Sequence, residues 1–238
     1  GISVEDAVDV AREAADFVLL EKDLSVLADG IIEGRKTFGN SLKYIFISTG
    51  ATFGNMFSVA FSSLLLPFLP MLPKQILLVN FLTDFPYLSL SNDRVDEEQL
   101  AKPNKWNLGL IQKFMIVFGL HSSVFDLITF YYLFFFLREK ESAFQTGWFL
   151  ESVVTELLIL FIIRSVKPVF KSRPSGLLLF SAASMILITL ACMFSAIAPL
   201  LGLQPLPLVP MLVISAILVA YLFTGDWLKI LFFRYVKA

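Results

Sequence analysis

Long apolar stretches separated by short polar ones dominate this chain from residue 42 onward, and they predict six membrane-crossing segments. They fall at about 43–66, 75–91, 108–137, 148–164, 177–198 and 207–224. A helix needs roughly 20 apolar residues to cross a bilayer, so the second segment is short and the third is long enough to tilt or project. The first is entered through Arg35, Lys36 and Lys43 and ends at Pro67 and Pro70. Trp148 and Trp227 lie near segment ends, where interfacial anchors collect. Residues 1–30 follow a different pattern. There Ser3 and Asp6 read as the cap of a short helix, residues 17–20 (FVLL) as a buried strand, and Asp23 or Ser25 as the start of a second helix running toward the membrane. One helix and one strand cannot bury a core, so this block reads as the edge of a larger α/β domain. The expected architecture is an all-α membrane protein of six transmembrane helices (31–238) carrying a short α/β remnant (1–30).

Composition agrees with that pattern. Of 238 residues 57% are hydrophobic and only 16% charged, with mean hydropathy +0.76, whereas soluble domains run near 25% charged. A net charge of −1 gives no sign of nucleic-acid binding. The lone Cys192 cannot form an intrachain disulfide, and the lone His121 has no second His or Cys to complete a transition-metal set. His121 is expected to be a satisfied interior side chain. No signal peptide precedes the first segment, and the chain opens on Gly1 and Ile2 without an initiator methionine, which reads as a fragment. Basic residues set the orientation. With six spans and a cytoplasmic N-terminal block, only Lys74, Arg138 and Lys140 of the 19 Lys and Arg fall on the far side. Lys22, Lys102 and Lys237 are among those on the near side, and both termini are expected in the cytoplasm.

The chemistry concentrates in residues 77–91, LLVNFLTDFPYLSLS. Asn80, Thr83 and Asp84 are spaced i, i+3, i+4 and share one helix face. An ionisable group inside a bilayer is costly, about 2.5–3.5 kcal/mol on insertion scales, and marks a functional site. Pro86 has no N–H to offer the carbonyl of Leu82, which is expected to leave a backbone oxygen free beside Asp84. Side-chain and backbone oxygens together suit a hard cation, and short proline-interrupted helices build such sites. On the first segment Ser48, Thr52 and Asn55 form a polar line, with Gly50 and Gly54 as a GxxxG beside it. On the fourth, Glu156 has three readings: a ligand, a proton carrier or a partner of Arg164. Asp126 on the third has two, a further ligand or a hydrogen-bonded tie between helices. The loop around Asp96, Glu97 and Glu98 is expected to be solvated.

Several stretches resemble P-type ATPases. AREAADFVLLEKDLSVL (11–27) and EGR (33–35) are similar to the end of the phosphorylation domain and the stalk of the fifth transmembrane helix, and VNFLTD (79–84) resembles the Asn-x-x-Thr-Asp ion motif of the sixth. The likeness runs the whole length, as helices five to ten. FGN (53–55), FLPMLP (68–73), VDEEQ (95–99) with Lys102-Pro103, and Trp106-Asn107 look most like the bacterial magnesium-translocating branch. This resemblance implies metal ligands at Asn55, Asn80, Thr83, Asp84 and Glu156, with Thr52 and Asp126 as further positions. It implies Mg2+ as the transported ion and, with ATP, as cosubstrate of the intact pump. Gly54-Asn55 replaces the Gly-Glu of calcium pumps, while Asn-x-x-Thr-Asp and Glu156 are calcium-like, so Ca2+ or another cation stays open. No Asp-Lys-Thr-Gly phosphorylation motif occurs here, so these residues alone are expected to hydrolyse no ATP. The implied partners are the bilayer, the cation and the rest of the pump (actuator, nucleotide and phosphorylation domains, helices one to four). The implied location is a bacterial inner membrane. A free-standing six-helix transporter or a regulatory subunit is the alternative.

Overall fold

The computed structural model describes all residues except Lys22, Lys102, Asn104, Lys237 and Ala238. Three of the basic positions used for orientation, and with Lys102 the Lys102-Pro103 motif, lie outside the described residues, as does the side chain of Glu98. The N-terminal block holds two short strands rather than one. β1 (Ile2–Val4) and β2 (Phe17–Leu19) pair in parallel, Ser3 opposite Val18, around the five-residue helix α1 (Asp9–Glu13). Ser3 therefore lies in a strand and caps nothing. Extended backbone at Val8 starts α1, with Asp9 in its first turn, where a carboxylate complements the helix dipole. Phe17 and Leu20 are largely exposed, at 69% and 75%, so the strand expected over 17–20 forms at Phe17–Leu19 but is not buried.

Asp23 caps α2 (Leu24–Ser62), its carboxylate accepting the Ser25 N–H at 2.8 Å; that bond holds the Asp23 carboxyl below its ordinary range. At 39 residues and 1.5 Å per residue, α2 is about 58 Å long, nearly twice a bilayer's apolar core. Its first third is exposed, and burial begins near Gly39. A loop leads to α3 (Pro73–Leu88), which starts with proline at its first position, where the missing N–H costs nothing. The Gln75 side chain accepts the Leu72 N–H at 2.9 Å and closes that end. Pro86 does not interrupt this helix. It removes one ladder bond close to the C-terminal end, and packing against later helices carries the helix on to Leu88.

Beyond a 3-10 turn (Ser89–Asn92) and the short α4 (Glu97–Leu100), α5 (Leu108–Phe130) continues as a π-helical stretch, Tyr131–Phe136. Then come α6 (Glu141–Ile163), α7 (Gly176–Phe194), α8 (Ala198–Leu201, ended by Gly202 in the left-handed region at φ 73°) and α9 (Leu208–Tyr235). Among the described residues five helices are long and apolar enough to cross a membrane: those within 25–62, 108–136, 141–163, 176–194 and 208–235. α3, at 16 residues, spans about 24 Å and falls short of that length.

α6 is the axis of the bundle. Most of its side chains are buried, and α2, α3, α5, α7 and α9 all pack on it. Trp148 is consequently no interfacial anchor but a core residue, 1% exposed against Phe130, whereas Trp227 is exposed on α9. The tightest crossing joins α2 to α5. Gly54 and Gly119 face each other there, and a Cβ on Gly54 would lie 3.0 Å from the Gly119 carbonyl oxygen. The Ser123 hydroxyl donates to the Gly54 carbonyl at 3.1 Å. Close backbone approach of this kind is what small residues in membrane helices permit.

Candidate functional site

Asn80, Thr83 and Asp84 lie on the α3 face turned toward α2, as their spacing predicts, and α2 presents Ser48, Thr52 and Asn55 in return. Together with Tyr87 and Glu156 they line one cleft of about 290 Å³. Five expected ligands and Thr52 are thus brought together; Asp126 is not among the lining residues. Its closed side is α6. Glu156 is 6% exposed and Thr83 1%, while Thr52, Asn80 and Asp84 form the open side.

Hydrogen bonds fix the closed side. The Asn55 amide donates to Oε1 of Glu156 at 2.6 Å, and the Tyr87 hydroxyl stands 3.5 Å from Oε2, a long donation. Thr83 lies beside the same carboxyl and donates its own proton to the backbone carbonyls of Val79 and Asn80 at 3.1 and 3.3 Å, which leaves its oxygen free to accept. Neither Asp84 nor the Asn80 side chain takes part in a hydrogen bond among the described residues, so oxygens on the open side are uncommitted. Two carboxylates, two amides and a hydroxyl in one cleft form an all-oxygen donor set. Among the described residues no group of three His, Cys, Asp or Glu is placed to hold a metal ion, so the two carboxylates here would need the amide and hydroxyl oxygens beside them. Oxygen donors select hard cations such as Mg2+ or Ca2+.

Asp126 lies deeper, 1% exposed, where it ties three helices. Its Oδ2 accepts the Ser58 hydroxyl of α2 at 2.5 Å and its Oδ1 the Trp148 indole N–H of α6 at 2.9 Å. His121 is only half satisfied. One ring nitrogen meets the Thr224 hydroxyl at 3.0 Å, but buried Nδ1 has no partner among the described residues.

Arg164 does not reach Glu156. It binds Asp93, Nε to Oδ2 at 3.0 Å and Nη2 to Oδ1 at 3.3 Å, and donates to the carbonyls of Ser172 and Arg173. Lys43 of α2 donates to the same Asp93 at 3.4 Å, and the Ser175 N–H does so at 3.1 Å. Asp93 is thereby the junction of α2, the end of α6 and the start of α7. In the loop that follows, Asp96 is tied rather than solvated, accepting the Ser165 hydroxyl at 2.7 Å and the Val166 N–H at 3.2 Å, while Glu97 is exposed as expected. Sequence reasoning missed Tyr87 and Asp93. Tyr87 stands i+3 from Asp84 and i+4 from Thr83, so the face rule that selected those two reaches it as well. Asp93 carried no such signal, since its partners come from distant segments.

The model of a family described as cation transporting ATPase, C-terminus, matches residues 68–231. The chain is 44% identical over 227 residues, 93% of its length, to a protein named magnesium-transporting ATPase, P-type 1, of Salmonella typhimurium, and equally to one so named of Escherichia coli. It is 31% identical over 180 residues to a putative cation-transporting ATPase of Methanocaldococcus jannaschii. The chain spans about a quarter of the length of the first two, 25%, and 22% of the third.

Proposed function

Because this chain belongs to the cation-transporting ATPases, matching their C-terminal region over residues 68–231, we propose that it is the part of an ATP-driven pump that holds intramembrane ligands for Mg2+. The observation that carries this reading is the single cleft in which Asn55, Asn80, Thr83, Asp84 and Glu156 meet, with Thr52 at its edge. Mg2+ sheds its waters reluctantly and is held by one or two carboxylates with water kept in place. Asp84 would supply the exposed charge, Glu156 the buried one, and Asn55 would hold Glu156 in position while its own carbonyl oxygen stays available. The open side, at Thr52, Asn80 and Asp84, would receive the remaining oxygens from water and from the rest of the pump. That the two bacterial relatives are named as magnesium-transporting ATPases supports this choice of ion.

In this reading α3, extended by the turn Ser89–Asn92, is the sixth span, short because it is braced by α6 and α7 rather than by lipid. With six spans both termini lie in the cytoplasm, and the N-terminal βαβ unit belongs to the domain that is phosphorylated on aspartate. The exposed third of α2 then works as a stalk. A rotation or shift imposed at its cytoplasmic end reaches Thr52 and Asn55 through one continuous helix, so phosphorylation and ligand geometry are mechanically joined.

The test is ATP hydrolysis by the full-length protein in lipid, titrated with Mg2+ and separately with Ca2+, for the wild type and Asp84→Asn. Stimulation by Mg2+ that Asp84→Asn abolishes is the expected result. Stimulation that survives Asp84→Asn removes the cleft from the transport site, and stimulation by Ca2+ alone overturns the choice of ion.

A further inference from the structure

Behind the cleft lies a second acidic pair that the ligand set does not use. Asp126 of α5 and Glu151 of α6 are 1% and 0% exposed, and Glu151 stands three residues beyond Trp148, whose indole reaches Asp126, on the same side of α6. Their surroundings differ. Both oxygens of Asp126 accept a hydrogen bond, from the Ser58 hydroxyl and from the Trp148 indole. Two donors aimed at one carboxyl suit its charged form, which accepts only. Neither oxygen of Glu151 receives a donor from any described residue. No ion pair reaches either group among the described residues. The titratable side chains that face them, Glu156 from α6 and Tyr221 from α9, bring no positive charge.

A carboxylate buried with neither donor nor cation is among the costliest groups a protein can hold, and neutralisation relieves that cost. Protonated, Glu151 changes from a group without a partner among the described residues into a donor, and Asp126 on the facing helix has lone pairs to spare beyond those taken by Ser58 and Trp148. We propose that Asp126 and Glu151 form an intramembrane proton-binding site in which Glu151 carries the proton and donates it to the Asp126 carboxylate. The bound ligand is a proton, and the site is separate from the cleft. Loss of that proton would leave two negative charges with no cation beside them among the described residues, so occupancy of the pair is linked to the hold of Ser58 on Asp126, and hence to the position of α2.

The proposal stands whether or not the cleft binds Mg2+, and the experiment keeps the two apart. Infrared absorption of the full-length protein in lipid near neutral pH reads the carbonyl stretch of protonated carboxyl groups, recognised by its downshift in D2O. The wild type is expected to show such a band, Glu151→Gln to lose it, and Asp84→Asn and Glu156→Gln to keep it. Glutamine keeps an N–H donor facing Asp126, so the fold is expected to survive. Should Glu151→Gln fail to accumulate, Glu151→Asp is expected to move the band, and an unmoved band overturns the proposal. Three further results overturn it: a wild type without the band, a band lost in Glu156→Gln rather than Glu151→Gln, and a band removed by adding Mg2+ or K+ to the Asp84→Asn protein. The last would make the pair a metal site.

Discussion

Asn55 and Ser58 lie three residues apart on one face of α2, and each donates to a different buried carboxyl group: Asn55 to Glu156 at 2.6 Å, Ser58 to Asp126 at 2.5 Å. One helix therefore grips both acidic centres of the bundle, one lining the cleft and one behind it. A hydrogen bond to a charged group contributes about 1.5–3 kcal/mol. Asn55→Ala is accordingly expected to weaken apparent Mg2+ affinity of the full-length protein about tenfold or more, since 1.4 kcal/mol is a factor of ten. Ser58→Ala, which touches no cleft residue, is expected to lower thermal stability with a much smaller change in Mg2+ dependence. Metal-stimulated ATP hydrolysis and thermal unfolding in the same detergent separate the two. Equal losses of affinity in both variants contradict the division of labour.

Tyr87 tests how much of the closed side of the cleft matters. Its hydroxyl is 3.5 Å from Glu156, at the outer limit of a useful hydrogen bond, while its ring is buried and packs edge-on against Tyr44. Tyr87→Phe keeps the ring and is expected to change apparent Mg2+ affinity less than Asn55→Ala does. Tyr87→Ala, which opens the wall, is expected to lose about 3–5 kcal/mol of stability as other large aromatic truncations do. Thermal unfolding checks the second, and Mg2+ titration of ATP hydrolysis the first.

The junction at Asp93 makes a sharper stability prediction. Arg164 is 2% exposed and Asp93 5%. Removing one partner of a buried pair strands the other and costs about 3–5 kcal/mol. Arg164→Met is therefore expected to destabilise strongly, although Lys43 still reaches Asp93. Asp93→Asn added to Arg164→Met is expected to recover part of the loss, because it removes the stranded charge. A double-mutant cycle read by thermal unfolding measures the coupling, expected at about 0.5–3 kcal/mol.

What the sequence disclosed and what it hid divide along physical lines. Helix-face spacing is local, so Asn80, Thr83 and Asp84 were readable as one face of α3, and Gly50 with Gly54 as a close-packing face of α2. Apolar length is also local, and five long apolar helices follow from it. Partner choice is not local. Nothing near Arg164 in the chain indicates that it binds Asp93 rather than Glu156, which is closer in sequence, because the loop before α4 folds back across the end of α6. Trp148 misled for a related reason. An aromatic residue near the start of an apolar run suits an interface, but α6 begins at Glu141 and is enclosed by its neighbours, so Trp148 faces Asp126 instead of lipid headgroups. Ser3 looked like a cap because Ser followed by an acidic residue suits a helix start, yet pairing with Phe17–Leu19 drew residues 2–4 into a strand.

The crossing of α2 and α5 carries the last prediction. A Cβ on Gly119 would collide with the Phe53 ring and would sit 3.2 Å from the Gly50 carbonyl oxygen and from the Gly54 nitrogen. The ring can swing aside; the two backbone groups cannot. Gly119→Ala is thus expected to push α2 away from α5 slightly, and Gly119→Leu to separate them outright, at a cost of about 1–3 kcal/mol or more. Because Asn55 and Ser58 sit on the displaced helix, the damage extends beyond packing. Gly119→Leu is expected to weaken Mg2+ stimulation as well as stability, although Gly119 lines no part of the cleft. A control on the same helix distinguishes this from general damage: Val124, 52% exposed, is expected to tolerate Val124→Leu without change in either readout. If Gly119→Leu lowers the unfolding temperature while leaving Mg2+ titration untouched, the position of α2 is not what sets ligand geometry, and the stalk reading of that helix fails with it.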